Sequence, residues 1–148
     1  MKVAVDTSVL VGLINPLDHR RPEAMALHDA LIAASVELVY FDCVAAEAIS
    51  VVARRLEEKH RSEEVKATLD NLERQVSQDS ICWILPEVPR LFEEVLEIIR
   101  SSSGALNFND ALIALACRER GIEAIASFDA DFNQIAWLRR LALPEDVG

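Results

Sequence analysis

The stretch KVAVDTSVLVGLI, Lys2–Ile14, predicts a strand that passes directly into a helix, with one carboxylate, Asp6, at the junction. Val3–Val5 is a short continuous apolar run, which is typical of a strand covered on both faces. Ser8–Ile14 is almost wholly apolar and predicts a buried helix. An acid placed between two buried elements either caps the helix or belongs to a functional site.

The rest of the chain repeats the alternation of strand and helix. Further strands are predicted at Glu37–Phe41, Ser80–Leu85, Glu123–Ser127 and, as a candidate fifth strand, Ile135–Leu138. Helices are predicted at Glu23–Ala34, Cys43 to about Glu58 with Asp42 as N-cap, Ser62–Gln75, Glu87 to about Ser101, Asn109 or Asp110 to Arg120, and a short turn at Asp131–Ile135. Strands that alternate with helices predict an α/β fold with a largely parallel sheet, in one domain over residues 1–148.

Composition limits the class of protein. The chain is 51% hydrophobic and 27% charged, as in globular domains, and no apolar run approaches the length of a membrane span. There is no signal-peptide pattern, and the three cysteines lack CxxC spacing, so we expect reduced thiols and a cytoplasmic protein without a membrane partner. The net charge of −10 argues against a broad basic DNA-binding surface and leaves room for a cation site.

Four acids follow strands or lie in the first turns of helices, which is where parallel α/β sheets bind ligands. Taken singly, each acid is better explained by helix capping or by an ordinary turn. The four acids are Asp6 after the first strand, Glu47 early in the next long helix, Asp110 at the start of an apolar helix, and Asp129 after the fourth strand.

The combination of these acids favours a metal site. No lysine or arginine is near Asp6 in the sequence, and Lys2 lies at the other end of its strand. Carboxylates about 4 Å apart repel by roughly 4 kcal/mol per pair at an effective dielectric constant near 20, so a cluster must take up protons or bind a cation. Magnesium suits an all-oxygen ligand set, and the three histidines lie in loop or surface-like sequence.

Four segments in order, within Val5–Phe132, resemble the PIN-domain nucleases and particularly the VapC-type toxins. The segments are VDTSVLVGLI, the glutamate in VAAEAISVVARR, NFNDALIALA and IASFDADF. The resemblance implies that the family's catalytic and metal-binding acids fall on Asp6, Glu47, Asp110 and Asp129.

The residues around the acids match the family less closely. The small hydroxyl beside the first acid falls on Thr7 or Ser8. The last motif usually begins with threonine, whereas this chain has Ser127, which keeps the hydroxyl. Because Asp129 and Asp131 both follow Ser127, the resemblance leaves open how far each of them acts as the fourth acid.

The resemblance implies a three-layer α/β/α sandwich and hydrolysis of RNA phosphodiester bonds with magnesium or manganese as cofactor. It leaves open whether one or two metals act and which RNA is cut. Arg54 and Arg55 lie about two helical turns beyond Glu47 and are candidates to hold the phosphate backbone. The alternative for these arginines is a solvated helix flank.

The resemblance also implies two protein partners, a second copy of the chain and a small antitoxin. A stripe of Leu69, Leu72 and Val76, with Val65 beside it, fits a homodimer interface. Packing of the same stripe within one chain fits the pattern equally well.

Other functions fit the sequence less well. A haloacid-dehalogenase-like phosphatase needs a second acid two residues after the first, where this chain has Ser8. A receiver domain needs an acid pair near its first strand and a lysine after its last strand, and neither is found. A PIN-like module that binds metal or RNA without turnover remains the alternative, although the intact set of acids argues against it.

Overall fold

Five parallel strands form the central sheet of the computed structural model, which describes residues 1–148. The order across the sheet is β3-β2-β1-β4-β5, so that β1 lies at the centre with β2 and β4 as its neighbours. The strands are β1 Lys2–Val5, β2 Glu37–Phe41, β3 Ile81–Cys82, β4 Ala124–Ala126 and β5 Arg139–Leu141.

Six α-helices connect the strands and cover the sheet, which confirms the predicted three-layer α/β/α arrangement. None of them has both the length and the apolar character that crossing a bilayer requires. The helices are α1 Thr7–Ile14, α2 Arg21–Ala33, α3 Asp42–Glu58, α4 Val65–Gln75, α5 Val88–Ser101 and α6 Phe108–Glu119.

The most deeply buried elements are the central strand and the two helices that carry acids at their N-terminal ends. Val3–Val5 of β1 are buried on both faces, as the continuous apolar run predicted. In α6, every residue from Asp110 to Cys117 is buried, and α1 is buried at all but one of its eight positions. Asp6 and Asp110 are therefore held by the most tightly packed part of the molecule.

The strand order creates a change of direction at the centre of the sheet. From β1 the chain builds β2 and β3 on one side, and then it crosses to build β4 and β5 on the other side. The connections that follow β1 and β4 therefore leave the sheet in opposite directions, which opens a crevice beyond the carboxyl ends of these two strands. Asp6 follows β1 at this edge, and Ser127 follows β4.

Two predicted strands differ from the structure. The third strand covers only Ile81–Cys82 instead of Ser80–Leu85, because the amides of Ile84 and Leu85 donate to the carboxylate of Asp42 rather than to a neighbouring strand. The predicted strand Ile135–Leu138 is wrong. Its two ends are buried in a turn in which the Leu138 amide donates to the Ile135 carbonyl, and β5 begins one residue later.

Three helix starts also differ from the predictions. Asp42 lies within the first turn of α3, where its carboxylate ties this helix to the end of β3, and Phe41 is the N-cap. Ser62 begins a short 3₁₀ helix that precedes α4 rather than capping α4 itself. The helix α6 is capped by Asn107, two residues before the predicted start.

The apolar stripe of α4 packs within the chain. Leu72 and Val76 belong to the hydrophobic core, and Val65 packs against it, while Leu69 is 36% exposed. The stripe therefore packs mainly within the chain, as the intramolecular alternative predicted.

The contact between α1 and α2 depends on Gly12. A β-carbon at this position would lie 2.7 Å from the Cβ of Ala24, and no side-chain rotation relieves a clash between two β-carbons. We expect Gly12→Ala to lower the free energy of unfolding by about 1 kcal/mol or more, because overpacking outweighs the gain in helix propensity. Urea denaturation measures the change.

Ala24→Gly provides the control for the Gly12 contact, because it removes the methyl group that would clash. The double variant should lose less stability than the sum of the two single losses. Additive losses would show that the two positions do not meet and would contradict the packing.

Candidate active site

A polar cavity of about 350 Å³ lies at the carboxyl edge of the sheet, and only three of its 14 lining residues are hydrophobic. The four predicted acids all line it, although they come from four separate segments of the chain. The predicted site residues in the lining are Asp6, Thr7, Ser8, Glu47, Arg55, Asp110 and Asp129.

Asp6 is fixed by two serine hydroxyls. The hydroxyl of Ser127 donates to its Oδ2 at 2.7 Å, and that of Ser8 donates to the same oxygen at 2.9 Å. The side chain is only 5% exposed, and this burial raises the pKa of Asp6, while the two serine hydrogen bonds act in the opposite direction. Asp6 is thus a buried acid with neutral partners only.

Glu47 is fixed by a different pair of donors. Thr7 Oγ1 donates to Glu47 Oε2 at 3.2 Å, and Asn109 Nδ2 donates to the same oxygen at 3.3 Å. The sequence left open whether Thr7 or Ser8 supplies the hydroxyl of the site. In the structure each hydroxyl serves its own acid, because successive residues of α1 point toward different walls of the cavity.

Asp110 has a structural role as well as a place in the cavity. Its carboxylate accepts from the Asn107 amide at 3.0 Å, and its own amide donates to the Asn107 side chain at 2.9 Å, which forms a capping box. The pKa of Asp110 is raised to about 7, chiefly by burial and to a smaller extent by the charges of Asp6, Asp129 and Glu47, while the hydrogen bond from Asn107 acts in the opposite direction. The four carboxylates therefore interact electrostatically.

The placement of the last two acids favours Asp129 over Asp131 as the fourth member of the cluster. Asp129 lines the cavity, and its amide donates to Ser127 Oγ at 3.0 Å. Asp131 lies outside the lining, where its carboxylate accepts from Gln134 at 3.3 Å. Asp131 contributes through its amide, which donates to the Asp129 carboxylate at 2.9 Å.

Basic residues lie closer to the acids than the sequence indicated. Arg20 and Arg55 line the same cavity as Asp6, although neither is near it in the sequence and neither forms an ion pair with it. Arg55 forms an ion pair with Asp18 at 2.9 Å, and the Asp18 side chain is only 4% exposed. Arg54 is exposed and does not line the cavity, which separates the two predicted RNA-binding arginines.

Several residues of the cavity were not predicted as site residues. Asn107 lies three positions before Asp110, so the capping-box spacing could have identified it. Asn109, Arg20 and Phe128 carry no such signal, because only the folded chain brings them beside the acids.

The donor set fits a divalent cation by its chemistry. All four acids offer carboxylate oxygens, two of them have a raised pKa, and none forms an ion pair within the chain. No group of three His, Cys, Asp or Glu side chains is arranged so that it could hold a metal ion directly. Magnesium takes oxygen ligands and usually keeps several waters, so one or two of these carboxylates would be enough to hold it.

Fold and site together define an α/β/α protein with an acidic cluster at the switch point of a parallel sheet. The sequence profile of the PIN domain matches residues 3–138, and the chain belongs to this family. The fold is similar to that of Mycobacterium tuberculosis VapC20, a sarcin-ricin loop cleaving toxin. The two chains have a TM-score of 0.67 and 22% identity, over 91% of this chain and 95% of that chain. No curated protein sequence gives a significant match.

The raised pKa of Asp110 predicts a pH dependence of stability. The carboxyl titrates near 3.8 in the unfolded chain and at about 7 in the folded protein, so the folded state binds the extra proton between these values. The free energy of unfolding, measured with urea in the presence of chelator, should therefore fall as the pH rises from about 4 to about 7.

Asp110→Asn is the matched variant for this test, because it keeps an oxygen for the Asn107 amide and has no charge. It should reduce the difference in stability between about pH 5 and about pH 8, and the part that remains is expected from Asp6, whose pKa is also raised. An undiminished difference in this variant would assign the effect to other groups.

Proposed function

We propose that the chain is a metal-dependent endoribonuclease that hydrolyses RNA phosphodiester bonds. The observation that carries the proposal is the convergence of four carboxylates from separate elements on one polar cavity, without an ion pair to any of them. Membership of the PIN family and the similarity to a toxin that cleaves the sarcin-ricin loop support it.

Magnesium or manganese would be held first by Asp6 and Asp110, with Glu47 and Asp129 as direct or water-mediated ligands. When bound, the cation neutralises the carboxylates, polarises the scissile phosphate and lowers the pKa of the attacking water. Asp6 is held for this task by Ser8 and Ser127.

Glu47 is the proposed proton acceptor. Thr7 and Asn109 both donate to its Oε2, and they fix the side chain without using the other oxygen. Oε1 is thus free to accept a proton from a water molecule in the cavity. Arg55 lines the same cavity and is the proposed contact to the phosphate backbone, whereas Arg54 is not among the lining residues.

We further propose that the protein is the toxin of a toxin-antitoxin pair in the cytoplasm, as one domain over residues 1–148. The antitoxin would be a small protein that binds the toxin and holds it inactive. Co-purification of such a partner from the native host, with inhibition of cleavage by the complex, is the observation that would support this step.

A non-catalytic PIN-like module is the alternative function. Both the ribonuclease and the module need the acids to bind metal, so only turnover distinguishes them. Metal binding by the wild-type chain without cleavage of any RNA would favour the module.

The decisive experiment incubates total cellular RNA with the protein and maps the new ends. We expect discrete cuts that require magnesium or manganese and stop with chelator. Asp6→Asn should abolish them, and cuts that persist in this variant would come from a contaminating nuclease.

Ser127→Ala tests the support of Asp6 by its neighbours. Loss of a residue that orients a metal ligand lowers metal affinity or activity by about 10- to 100-fold. Ser50→Ala is the control, because the Ser50 hydroxyl bonds only within its own helix. Equal activity of the two variants would remove the role given to Ser127.

We also propose a homodimer, formed by an apolar surface other than the α4 stripe. Trp83 is 58% exposed, Leu85 and Phe92 are each 44% exposed, and all three lie in one short segment between the end of β3 and the first half of α5. We expect sedimentation of a dimer at micromolar concentration and of a monomer for Phe92→Glu. A monomeric wild-type chain would remove the proposal.

A further inference from the structure

We propose that Arg20 and Phe128 form a stacking platform for one unpaired nucleobase of the RNA, beside the acid cluster. The inference rests on the proposed ribonuclease function and adds how the substrate is held. Its basis is the contact between the two side chains, whose guanidinium carbon and ring centroid lie 4.8 Å apart.

The position of the pair fits a role in substrate binding. Both residues line the cavity that contains the four acids, and Phe128 is the only Phe, Tyr or Trp in that lining, which also includes His19. Phe128 is half-buried and Arg20 is exposed, so the pair borders the solvent. Unpaired RNA bases stack on aromatic rings and on guanidinium planes, and this platform offers both.

The backbone of Phe128 is fixed relative to the first acid. The amide of Phe128 donates to Ser8 Oγ at 3.1 Å, and the Ser8 hydroxyl donates to Asp6 Oδ2 at 2.9 Å. Phe128 also directly precedes Asp129 in the chain. Because the Arg20 guanidinium lies over the Phe128 ring, a base would stack on the outer face of that guanidinium, and its own phosphate would lie near the carboxylates.

The backbone of Arg20 is fixed as well. Asp18 accepts from the Arg20 amide at 2.8 Å and from the Arg55 side chain at 2.9 Å. The next residue, Arg21, donates to the carbonyl of Leu13 at 3.0 Å, which ties the start of α2 to the end of α1. The loop is held while the Arg20 side chain stays exposed at the cavity.

Charge supports the same assignment. The chain has a net charge of −10, so general attraction to RNA is weak. Of the two arginines in the cavity, Arg55 is paired with Asp18, whereas Arg20 forms no ion pair. Arg20 therefore adds to the cavity, beside the proposed phosphate contact Arg55, a positive charge that no carboxylate of the chain neutralises.

A surface contact that merely stabilises the loop is the competing explanation, because exposed cation–π pairs also contribute to folding. The two explanations differ in their dependence on the base. A platform binds an intact nucleotide better than an abasic one, whereas a loop contact is indifferent to the presence of a base.

The test measures binding of a short single-stranded RNA that contains the mapped cut, with each nucleotide flanking the cut made abasic in turn. Asp6→Asn serves as the background, so that the RNA stays intact. At one position we expect the abasic RNA to bind about tenfold more weakly, a typical effect of losing one stacked base. Adding Phe128→Leu should abolish this penalty, whereas Phe128→Tyr should retain it.

Arg20→Lys keeps the charge but removes the planar group, and it should reduce the penalty. Arg54→Ala is the matched control for an exposed arginine outside the cavity and should leave the penalty unchanged. Thermal unfolding confirms that each variant is folded before its binding is compared.

Two failures are distinguishable. If Phe128→Leu weakens intact and abasic RNA equally while the wild type still cleaves, the platform is overturned and the ribonuclease stands. If the wild type cleaves no RNA, the proposed function falls and the platform falls with it.

Discussion

The repulsion among carboxylates at the switch point is the constraint on which the site depends. Asp6 and Asp110 are both buried, and their neighbours offer them hydroxyls and amides instead of positive charge. Burial and like charges therefore raise the pKa of both groups. Without a cation or extra protons, a cluster of this kind destabilises the folded state. The packing of the surrounding core must compensate for that loss of stability.

The fold meets this demand by placing the acids on its most tightly packed elements. The central strand, α1 and α6 are almost fully buried, and they hold Asp6 and Asp110 from both sides of the crevice. Capping gives a second benefit at Asp110, because the same carboxylate that faces the cavity also closes the first turn of α6. The choice posed by the sequence between helix cap and site residue is therefore not exclusive at this position.

The periodicity and placement of apolar residues predicted the α/β architecture and the four acids, because buried strands and helix starts have local signals. Segments whose structure depends on distant partners were predicted less well. The third strand is short because Asp42, distant in sequence, captures the amides of Ile84 and Leu85. The contact between Arg20 and Phe128 could likewise not be predicted from the sequence, because a cation–π contact between distant segments follows no fixed spacing along the chain.

Because the chain is acidic, the few basic side chains that form no ion pair indicate where RNA could bind. Arginines of α5 and α6 are tied to glutamates, with Arg90 on Glu119, Arg118 on Glu94 and Arg120 on Glu87. These pairs neutralise charge far from the cavity and add little attraction for RNA. RNA binding must then come from contacts at the cavity itself, and the proposed cation and Arg20 would both contribute to it. The proposed ribonuclease would therefore discriminate by how a single-stranded segment fits its cavity, because its overall field repels every RNA alike.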